Sequence, residues 1–129
     1  MCPKTKVLGI SVSEEKESFG KDVLKIAKET EQAFDVDLDI NDDDVIVFDE
    51  YLEDGYGVIT ESVSGIVRQV AMREGIFLDP VYTGKAMVAF VDLVKKGYIP
   101  KDATVVFFHT GGTAALFPNK DKLTSLLKS

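Results

Sequence analysis

The sequence predicts an α/β fold: a parallel sheet with helices on both faces. Three observations carry that prediction. Short apolar runs alternate with longer stretches of helical spacing, in the order β-α-β-α-α-β. The strand candidates are apolar and rich in β-branched residues, as strands buried between helix layers are. Glycine-containing turns follow strands or precede helices, and ligands in such sheets gather at the carboxyl ends of the strands.

The elements follow in order. "KVLGISVS" (Lys6–Ser13) reads as a buried strand. In "EEKESFGKDVLKIAKETEQAF" the residues Phe19, Val23, Ile26, Ala27 and Phe34 fall near helical spacing, and Gly20 weakens the first turn. "DVDLDINDDDV" is an acidic connector, either a calcium loop or a solvated loop. It lacks the glycine and terminal glutamate of an EF-hand loop, which favours the solvated loop. "VIVFDEYL" (Val45–Leu52) reads as a second strand, and "EDGYGV" as a turn through Gly55 and Gly57. A helix follows, with Thr60 as N-cap, an apolar face of Ile66, Val67, Val70 and Ala71, and Gly75 as its stop. Gly84 to Lys96 reads as another helix, with Met87, Phe90, Val91 and Val94 on its apolar side. "ATVVFFH" reads as a third strand, "TGGTAALF" as a glycine-rich turn, and "KDKLTSLLKS" as a short helix or frayed end.

Length and composition narrow the function classes. A chain of 129 residues suggests one domain or part of a larger one, and 45% hydrophobic residues suffice for a core. A net charge of −7 repels phosphate backbones and argues against nucleic-acid binding. Cys2 is the single cysteine, so no disulfide framework exists within the chain, and it reads as an ordinary free thiol. No apolar run approaches the roughly 20 residues of a membrane span, and the N-terminal stretch lacks the apolar core of a signal peptide. The expectation is a cytoplasmic protein with no membrane partner.

The turns carry the candidate chemistry. Tyr56, between two glycines, is either a turn residue or a phenol presented to a ligand as acid, base or stacking surface. Tyr82 and Thr83 precede a helix N-terminus, whose free N–H groups favour anions; Thr83 alone also reads as an N-cap. Lys85 invites a Schiff-base role, but a lysine in a first helical turn more often points to solvent. His109 is the single histidine and builds neither a metal site nor a Ser-His-Asp triad by itself; no metal is expected. "TGGT" lacks the Lys-Ser/Thr of a P-loop.

Taken together, "GYGVITES", "EGIFLDPVYTGKAMVAFVDLVKKG" and "VVFFHTGGTAALF" make a more specific pattern. They resemble the carboxyl-terminal part of D-cysteine desulfhydrases and 1-aminocyclopropane-1-carboxylate deaminases. These are pyridoxal-phosphate enzymes of the tryptophan-synthase-β-like fold (fold-type II). The resemblance implies that residues 1–129 form a single partial domain of a larger catalytic domain. It implies pyridoxal 5'-phosphate as cofactor, a small amino acid as substrate, and a homo-oligomer in the complete enzyme. Tyr56 and Tyr82 resemble the two tyrosines that face substrate and cofactor. Thr83 stands where the deaminases carry a glutamate near the pyridine nitrogen, and Thr110, followed by Gly111, resembles a second hydroxyl partner there. A carboxylate favours the protonated, strongly electron-withdrawing ring, whereas a hydroxyl leaves a weaker electron sink. Tyr-Thr therefore resembles the desulfhydrases.

Ile59 (often proline in the family), Ala114-Ala115 and Pro118-Asn119 are mild departures. The family's Schiff-base lysine, its substrate-side Ser-Asn region and its phosphate loop lie in an amino-terminal part that these motifs do not cover. Lys85 does not match that lysine. The expectations are an isolated chain inactive by itself, exposed cofactor-facing turns and an uncovered apolar surface; the alternative is an assembly module that complements a separate amino-terminal half.

Overall fold

The computed structural model describes residues 5–127; Cys2 lies outside the described residues. Two short strands, β1 (Leu8–Ile10) and β2 (Ile46–Phe48), pair in parallel with Leu8 opposite Ile46, Gly9 opposite Val47 and Ile10 opposite Phe48. A further bond from Ser11 N–H to the Phe48 carbonyl, 2.8 Å, extends the ladder by one step. The helices are α1 (Lys16–Phe34), α2 (Glu61–Glu74), α3 (Thr83–Lys95) and α4 (Lys120–Ser125).

Side chains alternate across a strand, which sorts the helices to the two faces. Leu8, Ile10 and Phe48 share one face and pack with Tyr51, Ala89 and Leu93, the last two from α3. Gly9 and Val47 share the other: a Cβ on Gly9 would lie 3.7 Å from Val47 Cγ2. On that face the α1 residue Gly20 approaches Val45, two residues before Val47. Helices therefore cover both faces, as the apolar strands require.

Local chemistry sets the helix ends. The Thr60 side chain caps α2 by accepting from Val63 N–H, and Gly75 ends it in the left-handed region, φ 67°. Both match the sequence expectation. Helix α1 has no side-chain cap of its own; its Lys16 N–H donates instead to Asp49 Oδ2 at 2.8 Å. No residue of α1 is buried. In the acidic connector, Asn41 and Asp44 form a capping box around a 3-10 turn, Asp42–Asp44. No cluster of three or more potential metal ligands exists among the described residues.

The main core joins Ile59 to Val63, Ile66, Val67 and Val70 of α2, with Leu78 and Leu123. Burying each such side chain is worth about 1.5–3 kcal/mol. Beyond its first turn, the buried positions of α3 are Ala89 and Leu93, with Met87, Val88 and Val91 half-buried beside them. Of the expected apolar side, Met87 and Val91 pack on the main core, and the buried surface widens to Ala89 and Leu93 because α3 packs against both the sheet and α2.

The third strand expected over 103–109 does not form. Its residues join no ladder, and the sheet has two strands among the described residues. The sequence has the composition of a strand, but a strand exists only where a neighbour pairs its backbone. Val106 (76% exposed) and Phe108 (83%) stand in solvent with Phe77 and Phe117. This is the uncovered apolar surface that the sequence led us to expect. No described helix is long and apolar enough to cross a membrane.

One polar linkage fixes the end of α3 to the segment after β2. The Tyr51 hydroxyl donates to Asp92 Oδ2 at 2.7 Å, and Lys96 pairs with the same oxygen at 2.6 Å. Burial first, and then the hydrogen bond to Asp92, push the Tyr51 phenol up to about 12. A folded-state value above the ordinary 10 means that the contribution is whole below pH 10 and lost as pH rises toward 12. Thermal melts from pH 9 to 12 are expected to fall more steeply for the wild type than for Tyr51→Phe. Parallel slopes would contradict the linkage.

Candidate functional site

The site grows from the loop that starts α3. Asp79 is almost fully buried, and its carboxylate accepts from the N–H groups of Val81 (3.1 Å), Tyr82 (2.8 Å) and Thr83 (2.9 Å). These are donors that a helix start leaves without intrahelical partners. The Thr83 hydroxyl donates to Asp79 Oδ1 at 3.1 Å and accepts from the Asp79 N–H at 2.8 Å. Thr83 is therefore the first helical residue, and the capping acceptor is Asp79, four positions earlier. The Asp-Pro-x-x-Thr spacing was the available signal for it.

Fastening this loop leaves the Tyr82 side chain pointing outward, 47% exposed. It meets Tyr56 there. The two phenolic oxygens lie 2.5 Å apart and the rings touch edge-on, with centroids 6.0 Å apart. The hydrogen bond with Tyr56, more than any other influence, raises the Tyr82 pKa above the ordinary phenol value. The structure thus brings together two of the predicted site residues from positions 26 apart in sequence.

The turn after residue 109 reaches the same loop from another side. His109 Nε2 lies 2.9 Å from the Phe77 carbonyl oxygen, and Gly111 N–H donates to His109 Nδ1 at 3.1 Å. Gly111 and Gly112 both adopt positive φ, 96° and 87°. A Cβ on Gly112 would lie 2.9 Å from Asp79 Cγ, so only glycine lets the turn lie against that carboxylate. Thr110, between the histidine and the glycines, is exposed. His109 is an anchor for this turn, not a member of a metal cluster.

Lys85 departs from expectation. It is fully buried, and its Nζ donates to the carbonyl oxygens of Leu52 and Gly55, both at 2.7 Å. Burial lowers its pKa, while nearby Glu53 and Asp54 pull it back up. The lysine turns inward because the 52–55 turn presents two carbonyls above the first turn of α3. Sequence distance conceals that contact.

Two exposed phenols, an exposed threonine hydroxyl and an open glycine turn suit the edge of an aromatic cofactor and the substrate side of its ring. The amine chemistry does not fit: the lysine within this cluster, Lys85, is enclosed and already bonded. The residues present would line such a pocket without capturing the cofactor's aldehyde.

The sequence matches the family described as "Pyridoxal-phosphate dependent enzyme" over residues 1–111. The chain belongs to that family. It is 36% identical over 110 residues to the 1-aminocyclopropane-1-carboxylate deaminase of Rhizobium rhizogenes, covering 85% of this chain and 33% of the relative. It is 39% identical over 111 residues to the deaminase of Bradyrhizobium diazoefficiens, covering 86% and 33%. A crystal structure of an ACC deaminase homologue superimposes with a TM-score of 0.83 at 38% identity, over 94% of this chain and 35% of that one. The chain thus spans about a third of the length of the curated relatives it matches. Its α/β architecture is part of the fold-type II arrangement, and the family cofactor is pyridoxal phosphate.

Proposed function

We propose that this chain supplies the carboxyl-terminal part of a pyridoxal-phosphate-dependent lyase of the D-cysteine desulfhydrase type. In that reading it is a single partial domain that works with a separate amino-terminal half, in an enzyme that is a homo-oligomer when complete. The observation that carries the reading is the hydrogen-bonded Tyr56–Tyr82 pair, whose two phenols both stand exposed. At the position where deaminases carry a glutamate stands Thr83, and the Asp79 carboxylate is spent on backbone N–H groups.

When bound, pyridoxal phosphate supplies an electron-withdrawing ring that acidifies the substrate Cα–H. Thr110, with Gly111 shaping its turn, would offer the ring nitrogen a neutral hydroxyl partner. Thr83, buried and with its hydroxyl held by Asp79, would fix the loop beneath that edge. Tyr82 holds a proton at its phenolic oxygen and hands it to the departing sulfur, and Tyr56 orients that phenol through their hydrogen bond. The balanced reaction is D-cysteine plus water giving pyruvate, hydrogen sulfide and ammonia. The sulfur is an ordinary leaving group, whereas opening a cyclopropane offers none at the reacting carbon. A weaker electron sink therefore suits the elimination. A deaminase reading is the second possibility, favoured by the names of the relatives.

The test is to mix the chain with a candidate amino-terminal half and pyridoxal phosphate, then assay sulfide and pyruvate from D-cysteine against ring opening of 1-aminocyclopropane-1-carboxylate. Sulfide release is expected only in the mixture, reduced about 100-fold or more by Tyr82→Phe, as for loss of a proton-transfer group. Ring opening as the main activity would overturn the substrate reading. Sulfide release by the chain alone would overturn the division of labour.

A further inference from the structure

We propose that Lys85 is a positioning residue whose two bonds to the Leu52 and Gly55 carbonyls set the turn that brings Tyr56 onto Tyr82. The inference rests on reading the two phenols as the proton-handling pair. Its geometric basis stands apart from any cofactor.

Three linked turns run from Asp49 to Val58, closed by Leu52 N–H to Asp49 O, Gly55 N–H to Leu52 O, and Val58 N–H to Gly55 O. The two carbonyls at the joints, Leu52 and Gly55, are the ones that Lys85 Nζ engages. Tyr56 is the next residue. Lys85 and Tyr82 are three apart at the start of α3, so one helical turn holds the ammonium below and the phenol above. The Tyr56 turn is also tied at its far side, where the Glu53 carboxylate accepts from the hydroxyls of Thr60 and Ser62 at the start of α2. Glu53 itself has a positive φ, 53°. The turn is thus held between two helix starts, and the lysine is the member that fixes it to the helix carrying the other phenol.

Such a buried cation is otherwise unexplained. It touches neither an acidic side chain in an ion pair nor solvent. A side chain whose role was to fill space would be apolar, since enclosing an ammonium is costly unless its donors are used. Here at least two of the three are used, on carbonyls that neighbour a site residue.

Photo-oxidative coupling of tyrosines at pH 7 reads the pairing directly, with the link between positions 56 and 82 quantified by peptide mass spectrometry. The wild-type chain is expected to give this intrachain link as its main product. Lys85→Met, with wild-type helical content, is expected to lose it at least fivefold. Lys85→Gln, which keeps an amide donor of shorter reach, is expected to fall between. A wild-type yield in either folded variant would overturn the proposal. A second measurement needs no change at the lysine: amide exchange over residues 53–58 in Tyr82→Phe. It is expected to stay as slow as in the wild type. Fast exchange there would mean that the phenols hold the turn, and the proposal would fall. Neither measurement uses cofactor or substrate. If both succeed while Tyr82→Phe leaves sulfide release intact in the reconstituted enzyme, the functional reading fails and the positioning role stands.

Discussion

Gly84→Ala is expected to destabilise the chain by about 3 kcal/mol, although alanine is the better helix former by about 1 kcal/mol. The added Cβ would lie 2.6 Å from the Asp79 carbonyl oxygen, 3.1 Å from Val63 Cγ1 and 3.3 Å from Val67 Cγ2. The first contact is with backbone, so no side-chain rotation relieves it. The same oxygen accepts the Gly84 N–H at 2.8 Å, so moving away to clear the methyl also breaks that bond. The clash therefore outweighs the gain in helix propensity. Gly65→Ala is the control. It lies on α2 with nothing within 4 Å of an added Cβ, and is expected to stabilise by roughly 0.5–1 kcal/mol. Urea unfolding of both variants checks the pair. Shifts of the denaturation midpoint in the same direction would show that α2 and α3 are not packed as closely as described.

The second large effect is expected at Asp79. Asp79→Ala removes the acceptor for three N–H groups and one hydroxyl at a buried helix start. Leaving such donors unmet costs about 2–4 kcal/mol. Asp79→Asn keeps one acceptor oxygen and is expected to cost roughly half as much. The loss has a local consequence as well. The Gly112 turn rests on the Asp79 side chain, and Tyr82 takes its direction from the loop that Asp79 ties. The alanine variant is expected to lose protection from amide exchange at 81–84 and 110–112 before the rest of the molecule. Urea unfolding together with exchange mass spectrometry checks both parts. A midpoint within experimental scatter of the wild type would refute the capping role.

The sequence was legible where the controlling physics is local. Thr60 and Gly75 bound α2 because a hydroxyl cap and a left-handed stop act within one turn. The parallel α/β arrangement followed from element order. It stopped being legible where the outcome depends on a distant neighbour. Residues 103–109 have every local feature of a strand, yet no ladder partner lies beside them among the described residues. Lys85 looked like a solvent-facing helix lysine because nothing nearby in sequence announces the carbonyls of Leu52 and Gly55. Of the site, Tyr56 and Tyr82 were found through their resemblance to a family, and the fold places them in contact. Asp79 was passed over, although a carboxylate four residues before a helical threonine is a recognisable capping arrangement.

The absence of any buried residue in α1 has a consequence for how the molecule breathes. Its nineteen residues rest on one sheet face, the Asp42–Asp44 turn and one end contact, so α1 is expected to separate from the remainder at lower cost than α2 from α3. The chain is therefore expected to open in two tiers. The outer helix can come and go while the tier bearing the paired phenols stays shut.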